Sequence, residues 1–448
     1  MLRTVKINTT LEWLLKELGN SVDVINQVFS LDTKSVRLIY LKSICDEKKI
    51  DQLILKPFFE IKREETFKDY LFSLPNYKVY QDDSDTLKQV LNGSVCFVMN
   101  EQIILFDMKK VENSSIGEAM VETVIQGPKN ALSEDIQTNI NIIRNQYHHP
   151  TLRIEEQEIG SVTQTRAMLV YDEKFIDLKV LDKVKESISK IDIKVLQSSG
   201  QLHRILTKKK RSLFPTMMIT ERPDRIVYNL AQGKVVIFVQ GTQFALILPA
   251  VFFDFMSSME DMYQPYWIGR FIVSLRYIGL FISIMLPSLY VGLISYNPEI
   301  LRVQLTLSIA GSRQGVPFPS FLEVLFMLLM MELLTEASIR LPKSISSTAT
   351  TVGGLILGQA ATEAGLVSNI MIIIVAAVAI SNFVIPINEM GFAMRIVKYL
   401  LLVLSTLMGV IGLVIGVMWL IFYLINLETL GQPYLKLFID REDSENRR

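Results

Sequence analysis

The apolar positions of the first 240 residues come in short groups interrupted by charge, and their spacing predicts a mixture of helices and strands. LEWLLKELGNSVDVINQVF (11–29) carries helical spacing, whereas SVRLIYLK (35–42) and TRAMLVY (165–171) are short β-branched and aromatic runs that predict strands. A faint internal echo links LNGSVCFVMNEQIILFDM (91–108) to LAQGKVVIFVQGTQFALIL (230–248). In each, a helix ends, Gly93 or Gly233 caps it, and a β-hairpin follows. The expectation is two tandem α/β subdomains, 1–110 and 111–240.

From about residue 270 the pattern changes to long apolar runs. WIGRFIVSLRYIGLFISIMLPSLYVGLISY (267–296) is almost uncharged after Arg276, and VKYLLLVLSTLMGVIGLVIGVMWLIFYLINL (397–427) is the clearest candidate span. Each is long enough to cross a ~30 Å hydrocarbon layer. NIMIIIVAAVAISNFVIPI (369–387) is a further candidate, and TVGGLILGQAATEAGL (351–366) is apolar but short. FALILPAVFFDFM (244–256) is too short to span and is expected at the membrane interface. With FLEVLFMLLMMELLTEAS (321–338), four or five crossing or re-entrant helices are expected in a membrane domain over 241–434, followed by a short charged tail, 435–448. Pro287, Pro317, Pro319, Pro342 and Pro386 are expected to break or end these helices.

Composition sharpens this division. Mean hydropathy is +0.31 although 21% of residues are charged, and only 12 of the 46 Lys and Arg and 14 of the 46 Asp and Glu fall after residue 240. The net charge is zero and neither half departs far from balance, which argues against nucleic-acid binding. Cys45 and Cys96 lack zinc-ligand spacing and read as reduced core residues. His148 and His149 fall in a turn before Pro150, His203 falls in a polar helix, and TKKKR (207–211) reads as a solvated loop. No nucleotide-binding, nucleophile-elbow or HExxH motif occurs, so neither an enzyme nor a metal or cofactor is expected.

The chemistry concentrates where charge interrupts the apolar pattern. FLEVLFMLLMMELLTEASIRLP holds Glu323, Glu332, Glu336 and Arg340. Glu332, Glu336 and Arg340 share one helical face, so Arg340 can pair with Glu336, while Glu323 lies on the opposite side. A charge at the bilayer centre costs about 2.5–3.5 kcal/mol and each Leu or Phe returns only about 0.3–0.6 kcal/mol, which excludes a lone lipid-facing span. Three placements remain: a packed ion pair, a wall of an ion path, or the interface. Gly354 and Gly358, Gly412 and Gly416, and Ala361 with Gly365 provide small-residue spacings for close helix packing, and Thr362 and Glu363 add polarity beside them.

The stretches FPTMMITERPDRIVYNLAQGKVVIFVQGTQFALILP, SSMEDMYQPYWIGRFIVSLRYIGLFISIMLPSLYV, GVPFPSFLEVLFMLLMMELLTEASIRLP and TVGGLILGQAATEAGLVS resemble the A subunits of bacterial spore germinant receptors, the GerA family. The resemblance runs from about residue 127 to 435. It implies a protein of the inner spore membrane with its N-terminal domain on the core side, working with a transporter-like B subunit and a lipoprotein C subunit. It further implies a ring, such as a pentamer, conducting monovalent cations in response to nutrients. Glu323, Glu332, Glu336, Arg340 and Pro342 occupy the family's acidic and arginine-proline positions, and Pro317, Phe318 and Pro319 keep its PFP turn. Where the family commonly reads LREAG this chain has Leu334-Thr335-Glu336-Ala337-Ser338.

The ion-path hypothesis therefore names Glu323, Glu332, Glu336, Glu363 and Thr362, with Arg340, Pro317, Pro319, Pro342, Gly354, Gly358 and Gly365 as structural supports. Its rivals are a secondary transporter, which requires related halves that 270–430 does not display, and a non-conducting scaffold docking the B and C subunits.

Overall fold

The computed structural model describes residues 2–31, 34–75, 77–99, 102–110, 117–208 and 212–436. The chain divides into two compact units, one from the described residues of Met1–Arg211 and Thr216–Pro249, the other from Ser212–Pro215 and Ala250–Leu437. The last residues of the TKKKR run and most of the charged tail lie outside the described residues.

The α/β unit contains two antiparallel five-stranded sheets. The first has β1 (Val24–Leu31), β2 (Lys34–Leu41), β3 (Tyr77–Val79), β4 (Ser94–Met99) and β5 (Gln102–Asp107), in the order β1-β2-β4-β5-β3. The second has β6 (Leu152–Ile159), β7 (Thr165–Asp172), β8 (Met218–Thr220), β9 (Val235–Val239) and β10 (Ala245–Leu248), in the order β6-β7-β9-β10-β8. The identical strand order explains the faint sequence echo: each copy runs helix, strand, strand, edge strand, helix, hairpin, and Gly93 and Gly233 occupy matching places before β4 and β9. Two tandem α/β subdomains are thus present.

Two expectations are corrected here. The helical pattern drawn through 11–29 stops at Leu18, because Gly19 adopts φ +61°, and the alternating VINQVF then pairs with β2. The run at 244–256 is not interfacial in its first part: Ala245–Leu248 is a fully buried central strand paired on both sides, so the α/β unit continues to Pro249 rather than ending at 240. Only Phe252–Met256 forms a short helix.

One buried ion pair fastens the two copies together. Arg144 donates to Asp23 at 2.9 and 3.0 Å, and Ser21 and Ser43 hydroxyls donate to the same carboxylate at 2.6 and 2.8 Å. Burial pushes the Asp23 carboxyl up, but the Arg144 guanidinium and the two hydroxyls outweigh it and hold it below its ordinary value. Nearby, Arg153 Nη1 donates to the carbonyl of Leu18 at 2.7 Å, and a Cβ at Gly19 would lie 2.3 Å from the Arg153 guanidinium carbon. The ERPDR stretch (221–225) has a related task. Arg222 donates to the carbonyls of Glu122 and Pro128 at 3.0 Å each, and Arg225 pairs with Glu122 at 2.8 Å, which ties down the extended segment between the sheets. Cys45 and Cys96 are free and buried, and burial pushes both thiols up to about 12.

The second unit is helical: α1 (Tyr266–Tyr296), α2 (Val303–Ser312), α3 (Ser320–Arg340), α4 (Lys343–Glu363), α5 (Asn369–Asn382) and α6 (Asn388–Asn426). Its core sets Val324, Met327 and Leu328 of α3 against Met371, Val375 and Val378 of α5. By length and apolarity α1 and α6 are each sufficient to cross a membrane. Pro287 does not break α1, which runs through it. The expected single span at 397–427 is also corrected. Gly409 has φ +64° and ψ −144°, and a Cβ at Gly416 would lie 2.4 Å from a methyl of Leu401. A straight helix would separate those residues by roughly 22 Å. The chain therefore folds back at Gly409, and Gly412 crosses against the carbonyl of Leu404 so closely that only a missing side chain fits. The returning leg brings Tyr423 to the amide of Leu213 at 3.1 Å, and beyond it Tyr434 O accepts from Phe252 N at 3.0 Å.

Candidate functional site

The four acidic positions singled out in the sequence fall into different environments. Pro319 sits at the N-cap of α3 with φ −66°, which starts the helix directly after the PFP turn and puts Glu323 in its first turn, where the helix dipole favours a carboxylate. Glu323 is 1% exposed. Its Oε1 accepts from both the backbone N and the hydroxyl of Ser368 at 2.6 Å each, and its Oε2 lies 3.4 Å from Arg313 Nε. Ser368 in turn caps α5 by accepting from Met371 N. Glu323 is thus a three-way staple joining α3, the start of α5 and the end of α2.

Two and a half turns later, on the opposite side of α3, Glu332 meets two cations from the first leg of α6. Arg395 Nη1 donates to its Oε2 at 3.1 Å and Lys398 Nζ to its Oε1 at 3.2 Å. Lys398 is 1% exposed, although it carries a full side chain of charge into a mostly apolar helix bundle. Glu336 pairs with Arg340 at 2.7 Å, as the spacing predicts, and both side chains are exposed. The four side chains do not converge on one cluster.

Glu363 stands apart. It accepts from Gln359 Nε2 at 2.9 Å and has no cationic partner among the described residues. Thr362 donates back to the carbonyl of Gln359 at 2.7 Å within the same helix. Pro342 caps α4, and the helix extends further toward the N-terminus than the apolar run at 351–366 indicates. Thr348, Val352, Leu355, Gln359 and Glu363 are exposed and, at spacings of three and four, form one stripe along it. The stripe is polar at its start, apolar in the middle and acidic at its end.

The supporting glycines do less than their spacing suggests. Gly354 makes room for a Leu334 methyl at 3.6 Å, and Gly358 has only an Ile372 methyl at 4.0 Å, so neither marks a close backbone crossing. A Cβ at Gly365 would lie 3.0 Å from the Gly315 carbonyl, a close approach. The tightest small-residue crossing belongs to Gly412 and Gly416 instead.

Sequence reasoning missed the cations. Arg313, Arg395 and Lys398 lie in segments distant from the acids they meet, and α2 was not expected as a helix. A signal existed: Arg395 and Lys398 are three apart on one helix face, and they are the last charges before the uncharged run 399–426. Of the histidines, His148 and His149 lie in an irregular stretch that leads into the turn at Pro150 and Thr151, and His203 lies in the helix Ser199–Lys208, where burial lowers its pKa.

A family model described as Bacillus/Clostridium GerA spore germination protein matches residues 12–447. Spore germination protein KA of Bacillus subtilis (strain 168) is 33% identical over 431 residues, covering 94% of this chain and 79% of that protein. Spore germination protein GerLA of Bacillus cereus is 32% identical, covering 93% and 87%. Spore germination protein B1 of Bacillus subtilis (strain 168) is 32% identical, covering 96% and 91%. The crystal structure of the N-terminal domain of the A subunit of the Bacillus megaterium spore germinant receptor GerK3 is similar at 25% identity and a TM-score of 0.42, over 54% of this chain and 94% of that one.

Proposed function

The chain belongs to the GerA family of spore germination proteins, and from that premise we propose that it is the A subunit of a germinant receptor in the inner spore membrane. In this reading copies of the chain form a ring, such as a pentamer, around a path for monovalent cations that opens in response to nutrients. The α/β unit lies on the core side, and a transporter-like B subunit and a lipoprotein C subunit complete the receptor.

The observation that carries the channel reading is the pairing of charges in the helical unit. Glu323, Glu332 and Glu336 each have a cationic partner within the same chain. In this reading their charge is spent on those partners, which leaves Glu363 at the end of the exposed α4 stripe. Copies arranged with α4 inward would place a ring of carboxylates at one end of the path, which favours cations, and rings of Val352 and Leu355 in the middle, which can gate by dewetting. Thr348 and Gln359 would supply oxygen ligands on either side.

The test is conductance of the full chain reconstituted in vesicles, with and without the B and C subunits. Glu363→Gln is expected to lower cation selectivity and current, and Leu355→Ser to leave the path open without nutrient. Unchanged currents in both variants, in receptors that assemble normally, would exclude α4 as the path. No current from any assembly would favour the scaffold.

A further inference from the structure

Between α3, α5 and the first leg of α6 lies a cavity of about 20 Å³, room for about one water-sized guest. Leu328, Val375 and Val378 form its apolar wall, and Glu332, Asn382, Arg395 and Lys398 its polar one. Two cations therefore share one carboxylate at the edge of an apolar space. Arg395 spends one Nη on Glu332, but its buried Nε has no hydrogen-bond partner. Asn382 uses its carbonyl oxygen to accept from the Ser283 hydroxyl, so what it has left to offer is its N–H donors. Thr335, also on the wall, donates its hydroxyl hydrogen to the Met331 carbonyl at 2.8 Å. The other charged pair on α3, Glu336 with Arg340, is balanced within itself and exposed.

The polar wall is thus rich in donors and carries one positive charge more than Glu332 can cancel. An uncompensated charge in such surroundings is costly, and a small counter-ion removes the cost. We propose that this cavity binds a monovalent inorganic anion of halide size, held by Arg395, Lys398 and Asn382. The bound anion would complete the link between α3, α5 and α6, and it does not depend on α4 being a cation path.

The experiment uses the purified full chain in detergent, melted in potassium chloride, bromide or gluconate at matched ionic strength. Chloride and bromide are expected to raise the melting temperature over gluconate in a saturable way, and bromide to give an anomalous scattering peak beside Arg395. Glu332→Gln removes the competing negative charge and is expected to lower the half-saturating bromide concentration by at least about tenfold. Arg395→Gln is expected to abolish the halide effect; should that variant not fold, Asn382→Leu is expected to weaken it. Melting temperatures that ignore the anion in both the native chain and Glu332→Gln would mean that Lys398 is uncharged and the pair already neutral, and would overturn the proposal. A halide shift of equal size in Asn382→Leu and Arg395→Gln would do the same, since it would place the ion elsewhere.

Discussion

In the α/β unit the Asp23 carboxylate receives one guanidinium and two hydroxyls, so both oxygens are filled and the charge is balanced one to one. In the helical unit Glu323 receives a serine twice and a more distant Arg313, while Glu332 is outnumbered by two cations. Both units use buried charge to fasten elements far apart in sequence. They differ in what remains once the fastening is made. The sheet seam leaves nothing over, as suits a joint between two rigid copies, whereas the helical bundle retains unmatched charge at Arg395 and Lys398 and an acidic end on α4. Function is more readily accommodated where the pairing is incomplete.

The contrast breaks most visibly at Asp23. Arg144→Leu leaves a buried carboxylate without its cation and is expected to cost about 3–5 kcal/mol, read from denaturant unfolding of the full chain by the emission of Trp13, which packs against the first sheet's core. The same variant should alter the acid limb. Because the folded Asp23 pKa lies below its ordinary 3.8, its contribution is complete above that value and is lost as pH falls through the lower folded one. Arg144→Leu should therefore flatten the dependence on acid in that window. An unchanged acid limb would show that the seam carries no linked charge.

A smaller effect is expected in the helices. Glu323→Leu strips the Ser368 amide and hydroxyl of their acceptor and should cost about 1–3 kcal/mol, measured as a lowered melting temperature in detergent. A neutral result would mean that Glu323 is not the staple its contacts describe. The smallest effect belongs to Glu336→Gln. An exposed pair of this kind contributes about 0–1 kcal/mol, so its melting temperature should stay close to that of the native chain, and a large drop would move Glu336 from the surface into an interface.

Strands were legible wherever alternation and β-branching agreed, as at SVRLIYLK and TRAMLVY, and the echo around Gly93 and Gly233 proved to be a repeated topology. VINQVF was misread because the leucines of the preceding helix continue the apolar pattern, and a single glycine conformation separates the two. FALIL carried two readings, the second strand of the echo's hairpin and the start of an interfacial run, and the structure keeps the first; a strand buried on both faces has no alternation and so also reads like a membrane segment. The acidic positions could be located from sequence but their partners could not, since pairing Glu332 with Arg395 and Lys398 depends on how α3 and α6 pack. The reversal at Gly409 escaped because a uniformly apolar run gives no sign of where it bends.

That reversal also bears on sidedness. Gly409 turns against Tyr296 at the far end of α1, and the homeward leg of α6 leads to Tyr434, whose carbonyl meets Phe252 ahead of α1; if α1 crosses a bilayer, Tyr434 is therefore on the side from which α1 set out. A protease-cleavable epitope inserted after Lys436 and another placed near residue 120 should then be cut from the same compartment. Protection of one with digestion of the other would require Gly409 to straighten when the protein meets lipid.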